Sequence, residues 1–199
     1  MTGLESVSRE TSDRLAIYES ELNRWNPKIN LVSNATLANA KKRHFHDSLQ
    51  LLKYAPADWS TWVDIGSGGG FPGLVIAACH PKENINLIES DLRKSLFMRT
   101  VARLMEVNVT VHNERSEQLM PQSADVISAR AFAPLVKLLD HAARHGHEDT
   151  VCILPKGQNV GQELTEARKH WKLEAEQYPS LTDANATILV IKDFQRVTD

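Results

Sequence analysis

The stretch Thr61–Gly73, TWVDIGSGGGFPG, constrains this chain more than any other. Trp62, Val63 and Ile65 form a short apolar run of strand formers that stops at Gly66, and the apolar segment Leu74–Ala78 after the glycines suits a helix. A strand, a turn and a helix follow in sequence. Glycine is required in such a turn because a β-carbon would block the positive φ values it needs and hold a ligand away from the backbone. A cofactor can therefore lie against Gly66, Gly68, Gly69 and Gly70. Used only as a flexible loop, so many glycines would cost backbone entropy without compensation.

Two cofactor classes use this geometry. Gly68, Gly70 and Gly73 satisfy the dinucleotide spacing G-x-G-x-x-G, but Pro72 then occupies the turn into the helix. The competing register, Asp64-x-Gly66-x-Gly68-x-Gly70, resembles the first motif of class I S-adenosylmethionine-dependent methyltransferases. Downstream, Ile85–Ser90 (INLIES) places Glu89 where a second strand leaves the core, about twenty residues after the glycines. A carboxylate there can accept both ribose hydroxyls of an adenosine cofactor, and it suits either class.

The chain of 199 residues is long enough for one α/β domain with a small extension. Strands are predicted near 61–65, 85–89, 108–112, 124–128, 149–154, 173–177 and 186–192, with helices near 73–79, 91–105, 132–144 and 159–171. This alternation predicts a seven-stranded, mostly parallel sheet covered on both faces, a Rossmann-like class I fold. Asp91 is the expected N-cap of the helix whose buried side carries Leu92, Leu96, Val101, Leu104 and Met105. Val160, Leu164, Ala167 and Trp171 mark the buried side of another.

Before the sheet, Leu15, Tyr18, Leu22 and Trp25 predict an amphipathic helix from about Ser8 to Trp25, ended by Asn26-Pro27. A second helix is predicted from about Leu37 to Lys53, with Phe45, Leu49 and Leu52 buried and Lys41, Lys42, Arg43, His44 and His46 on its polar side. Residues 1–58 thus read as an N-terminal helical extension and 59–199 as the cofactor domain, packed as one unit.

A formal net charge of −2 argues against a uniformly basic nucleic-acid coat, but it leaves room for a local basic face. Cys79 and Cys152 are far apart in apolar contexts and lack metal or redox spacing, so buried thiols and no metal site are expected. No run approaches a membrane span, and the N-terminus lacks an apolar signal core, so a cytoplasmic location is expected. After the third strand, the turn Asn113–Leu119 brings Ser116 and Glu117 to the edge where an adenine ring would sit. After the fourth, SARAFAP places Arg130 between apolar neighbours at the cofactor edge, as an ion-pair partner or as a contact to cofactor or RNA.

Together LNRWNPKINL (Leu22–Leu31), RHFHDSL (Arg43–Leu49), DIGSGGGFPG (Asp64–Gly73), LIES (Leu87–Ser90), NERSEQL (Asn113–Leu119), SARAFAPL (Ser128–Leu135) and LPKG (Leu154–Gly157) resemble the RsmG or GidB family, bacterial 16S rRNA guanine-N7 methyltransferases. The resemblance implies transfer of a methyl group from S-adenosyl-L-methionine to N7 of guanine 527 in 16S rRNA. It implies cofactor contacts at Gly66, Phe71, Ser116, Glu117 and Arg130, to which the motif adds Gly68 and the ribose argument adds Glu89. No general base is expected, because guanine N7 loses no proton; Arg130 is the expected positioning residue. RNA contacts are expected at Arg43, His44, Arg93, Lys94 and Lys156, with 16S rRNA or an assembling 30S subunit as partner and a monomer as the working form. A small-molecule methyltransferase or an NAD-binding oxidoreductase on the same fold is the alternative.

Overall fold

In a computed structural model, described here for residues 7–197, the strands are β1 (Thr61–Ile65), β2 (Asn84–Ile88), β3 (Val109–His112), β4 (Ala124–Ser128), β5 (Gly146–Lys156), β6 (Trp171–Pro179) and β7 (Thr187–Arg196). Residues 1–6 of the expected extension and 198–199 of the expected cofactor domain lie outside the described residues. One sheet runs in the order β3-β2-β1-β4-β5-β7-β6. Strands β1 to β5 are parallel, and β7 inserts antiparallel between β5 and β6. The sheet order reverses at β1, which lies between β2 and β4, so the loop after β1 opens at the switch point where α/β sheets bind ligands.

Both faces of the sheet are covered, as the near-continuous apolar strands demand. Trp62, Ile85, Leu87 and Val126 share one core with α4 (Gly73–Cys79), α5 (Leu92–Met105) and the N-terminal helices. Val63, Ile65, Ile127 and Cys152 pack on the other face against α6 (Leu135–His145) and α7 (Val160–Ala167). Trp171 is buried as expected, but as the first residue of β6. The chain turns at 168–170, with His170 N–H donating to Ala167 O, so the helical spacing from Val160 to Trp171 spans a helix and a strand.

Three further expectations change. Helix α1 spans Arg9–Ile29 and includes Pro27, four residues beyond the predicted end. Proline lacks only one N–H, and Asn26 is held by tertiary structure because its buried Oδ1 accepts from Val32 N–H at 2.8 Å. The predicted helix 37–53 is a helical stretch of changing pitch: α2 (Asn34–Leu37), a π-helical turn at Lys41–His46, α3 (Asp47–Leu49) and a 3-10 turn at Gln50–Tyr54. The wide π turn rotates both His44 and Phe45 inward. On α5, Leu92, Leu96 and Leu104 are 57%, 45% and 43% exposed, while Phe97, Met98, Val101, Ala102 and Met105 are buried. The helix is clamped at its start by Ser95 Oγ donating to Glu89 O and near its end by Arg14 of α1 donating to Met105 O. Those tethers fix its rotation.

Candidate cofactor and RNA site

After β1 the chain turns under constraint. Gly66 and Ser67 both donate N–H bonds to Ile88 O, at 2.9 and 3.1 Å, joining the loop to the end of β2. Gly66 and Gly68 have φ of 69° and 57°, values that side chains resist. A β-carbon on Gly66 would lie 2.2 Å from the ring of Phe132, whereas one on Gly68 would meet nothing closer than 3.9 Å, so backbone is exposed there for a ligand. Beneath the loop Asp64 is fully buried, accepting from Ser128 Oγ at 2.8 Å and Gly73 N–H at 3.3 Å. Burial pushes its carboxyl up to about 6 despite these bonds.

A cleft of about 480 Å³ lies over the loop. Gly66, Gly68, Phe71, Glu89, Ser116, Glu117 and Arg130, the residues singled out for a cofactor, all line it. Glu89 accepts from Gly68 N–H at 2.9 Å and from Asp91 N–H at 2.8 Å, so the carboxylate holds the glycine loop and the start of α5 together while facing the cleft. Asp91 caps α5 as expected, accepting from Arg93 and Lys94 N–H groups. Ser116 lies in the cleft wall, but its hydroxyl hydrogen-bonds with His141 at 3.1 Å and His145 at 3.0 Å instead of turning freely outward. Phe132, which its sequence did not single out, lines the same cleft and meets His141 edge to face at 5.1 Å.

Arg130 follows β4 and joins two parts of the molecule. Its guanidinium donates to His44 Nδ1 at 2.9 Å, lies 5.1 Å from the centre of the buried Phe71 ring, and stands 4.0 Å from Asp47 Oδ2. Burial lowers its pKa, with Asp47 opposing, yet guanidinium stays charged. His44 is not on the polar side of its helix. It is 7% exposed and stacked on Phe71 at 4.9 Å, and burial, aided by Arg130 and Arg43, holds its pKa at about 4. The ring is therefore neutral at pH 7 and offers no fixed positive charge to phosphate.

The other basic residues fall in two places. Arg93 is exposed at the start of α5, 3.8 Å from Asp91, and Lys94 lines the first cleft. Arg43 and Lys156 line a second cleft of about 260 Å³ that shares Arg130 with the first. Each already has an acidic partner: Arg43 pairs with Asp183 at 2.7 Å, and Lys156 pairs with Glu163 at 2.8 Å with its side chain only 10% exposed. Asp125, by contrast, sits near the start of β4 and accepts from the N–H groups of Ser60 and Thr61, away from both clefts. Both cysteines are free thiols, and burial pushes Cys79 up to about 11 and Cys152 higher still. Among the described residues no group of three or more His, Cys, Asp or Glu is placed to hold a metal, and no helix is long and apolar enough to cross a membrane.

Comparison with known proteins bears on the family and the fold. The GidB model, described as rRNA small subunit methyltransferase G, matches residues 11–189. A ribosomal RNA small subunit methyltransferase G of Cereibacter sphaeroides is 46% identical over 196 residues, covering 96% of this chain and 94% of the relative. Another, of Rhodospirillum centenum, is 48% identical over 187 residues, covering 94% and 86%. Among solved structures, M. jannaschii TYW2 in complex with AdoMet superposes with a TM-score of 0.58 at 15% identity, covering 86% of this chain and 80% of that one. The ribosomal protein L11 methylase of Lactobacillus delbrueckii gives 0.60 at 16% identity, covering 76% and 78%. At such identity these neighbours speak for the fold alone, which is that of the class I methyltransferases. The family match spans nearly the whole chain, and the chain belongs to the GidB family, the small-subunit rRNA methyltransferases G.

Proposed function

We propose that this chain methylates N7 of guanine 527 in 16S rRNA, acting as a cytoplasmic monomer on the RNA or on an assembling 30S subunit. The activity class follows from the family: it is an S-adenosylmethionine-dependent rRNA methyltransferase, and the nicotinamide and small-molecule alternatives fall away. Bound S-adenosylmethionine supplies an electrophilic methyl group. The residues present fit it. Gly68 leaves its backbone open to the cleft, Glu89 presents a carboxylate at the end of β2, and the cleft is large enough for a nucleoside.

The N7 assignment rests on the family and is favoured by the occupied lone pair of His44, although Asp47 Oδ2 stays an open acceptor beside Arg130. A general base needs a free acceptor, and the Nδ1 of this neutral imidazole already accepts from Arg130. Asp64 is sealed beneath the loop, and the end of β4 carries Ser128-Ala129-Arg130 rather than a carboxylate. Guanine N7 attacks with its own lone pair and releases no proton, so such a site needs only to align the base and exclude water. Arg130 supplies alignment from between the two clefts. In a division of the chain at 58/59, the described residues before it add the helical wall that carries Arg43, His44 and Asp47, and those after it supply the cofactor domain.

The test is methyl transfer to reconstituted 30S particles carrying guanine or 7-deazaguanine at the target position. Product on guanine and none on 7-deazaguanine is expected. Equal transfer to both would place the methyl on another atom, and a thermal shift with NAD but none with S-adenosylmethionine would return the nicotinamide reading.

A further inference from the structure

The second cleft contains an unanswered donor. His44 lines it, and because Nδ1 accepts from Arg130, the neutral ring carries its proton on Nε2. That Nε2 has no hydrogen-bond partner among the described residues. A buried donor without an acceptor is costly, and proteins rarely keep one without a use. The ring is held in place by its stack on Phe71 and its bond to Arg130, so the donor direction is fixed before any ligand arrives.

Three residues further along the same helical stretch, Asp47 lines the same cleft. Its Oδ1 accepts from Thr182 Oγ1 at 2.6 Å and from Gln50 Nε2 at 2.9 Å, which anchors the carboxylate. Oδ2 has only Arg130 nearby, at 4.0 Å. The cleft wall thus holds one N–H donor, covered until a ligand displaces what lies over it, and one under-used carboxylate oxygen, next to the guanidinium it shares with the first cleft.

We propose that this second cleft receives the target guanine and reads it, with His44 Nε2–H donating to O6 and Asp47 accepting from N1–H and the 2-amino group. This rests on the guanine-N7 reading above and adds the means of base selection. Guanine is commonly read by an arginine fork on O6 and N7 together, but that contact would cover the nitrogen to be methylated. A reader for N7 chemistry must take O6 alone and hold the far edge of the base. A single ring N–H does the first and a carboxylate the second. Adenine turns its 6-amino donor toward the His44 donor and has no N1–H for Asp47, so it meets two mismatches in place of two bonds.

The experiment compares 30S particles carrying guanine, inosine or 2-aminopurine at the target position, using the wild type, His44→Phe and His44→Gln. Inosine keeps O6 and N1–H and lacks only the 2-amino group; 2-aminopurine keeps N7 and the 2-amino group but lacks both O6 and N1–H. In kcat/KM, the wild type should favour guanine over 2-aminopurine by about ten- to a hundredfold. His44→Phe keeps a ring against Phe71 without the donor and should shrink that ratio to the part Asp47 reads from N1–H, whereas His44→Gln should restore part of the loss. An unchanged ratio in His44→Phe, even with a lower overall rate, would make His44 merely structural and overturn the proposal. If neither variant folds, the wild type still decides, since equal transfer to guanine and 2-aminopurine contradicts readout of both O6 and N1–H. A wild type that makes no 7-methylguanine at all would instead fail the underlying reading.

Discussion

The Tyr18 hydroxyl, in the middle of α1, donates to the carbonyl of Gly69 across 2.5 Å, so the N-terminal extension is bonded directly to the glycine loop. The phenol is fully buried, and its ring stacks on Phe71 at 4.9 Å. Tyr18→Phe keeps the stack and leaves a buried carbonyl without its donor. It should lower stability by about 1–3 kcal/mol and weaken S-adenosylmethionine binding through a loosened loop. Chemical denaturation and calorimetric titration check the two effects, and wild-type affinity in Tyr18→Phe would show that the tie does not shape the loop.

Glycine substitutions should separate by where the new side chain would go. Gly66→Val drives a branched side chain into the space of Phe132, an exposed residue that can swing aside, so cofactor binding should be lost while the fold largely persists. Gly73→Ala places its β-carbon 2.2 Å from Leu87 Cδ2 and 3.1 Å from Asp64 Cβ, both buried, and should lower the melting temperature before any effect on ligand is measured. Thermal shift with and without S-adenosylmethionine distinguishes the two, and retained binding in folded Gly66→Val would contradict the register of the loop.

Glu89→Ala removes the acceptor for two backbone N–H groups, of Gly68 and of Asp91. Cofactor affinity should fall by roughly 1–3 kcal/mol, and Glu89→Gln, which keeps one amide oxygen, should recover part of it. Isothermal titration gives the affinities. A fall in stability alone, with affinity intact, would leave Glu89 a brace for the loop and not a ligand for ribose.

Two buried groups give opposite pH signatures. Asp64, raised from 3.8 to about 6, contributes stability that is present below its unfolded pKa and lost as pH rises through 6. His44, lowered from 6.5 to about 4, contributes stability that is present above 6.5 and lost as pH falls toward 4. Between pH 4 and 6 the wild type should therefore lose stability relative to Asp64→Asn and gain it relative to His44→Phe as pH rises. Denaturation midpoints across this window test both slopes. Single-turnover methyl transfer should stay level from about pH 7 to 9, because no base titrates there.

Lys94 lines the first cleft and Arg93 stands beside it at the exposed start of α5, 3.8 Å from the capping Asp91. Reversing both charges should cut methyl transfer on RNA and flatten its dependence on salt, by about 0.7–0.9 in log–log slope for each phosphate contact removed. Measuring the rate from low to moderate salt checks this. An unchanged slope would make the pair ordinary solvated surface.

The local sequence carried most of what lines the first cleft. Asp64-x-Gly66-x-Gly68-x-Gly70, Glu89 and the polar turn at Ser116-Glu117 follow strands, and a parallel sheet brings the ends of its strands to one edge, so residues placed by chain order meet in one cleft. What the sequence misread lies on the helices before the sheet and on α5. Periodicity records that apolar residues share a stripe, but it does not say how the helix is rotated against its neighbours, and Leu92, Leu96 and Leu104 stay exposed for that reason.

The role of His44 was decided only by tertiary structure. In sequence it stands beside Lys41, Lys42 and Arg43 and reads as one of a basic run, because charge type is visible there and burial is not. A π-helical turn rotates it inward, Phe71 from the glycine loop stacks on it, and Arg130 from the far side of β4 takes its lone pair. These partners are 27 and 86 positions away, and contacts of that range depend on how the whole sheet and its helices pack. The sequence determined which chemistry the chain can hold, since glycine φ and strand ends are local properties. Only packing decided which imidazole stays neutral, because its desolvation and its neighbouring charges come from distant parts of the chain.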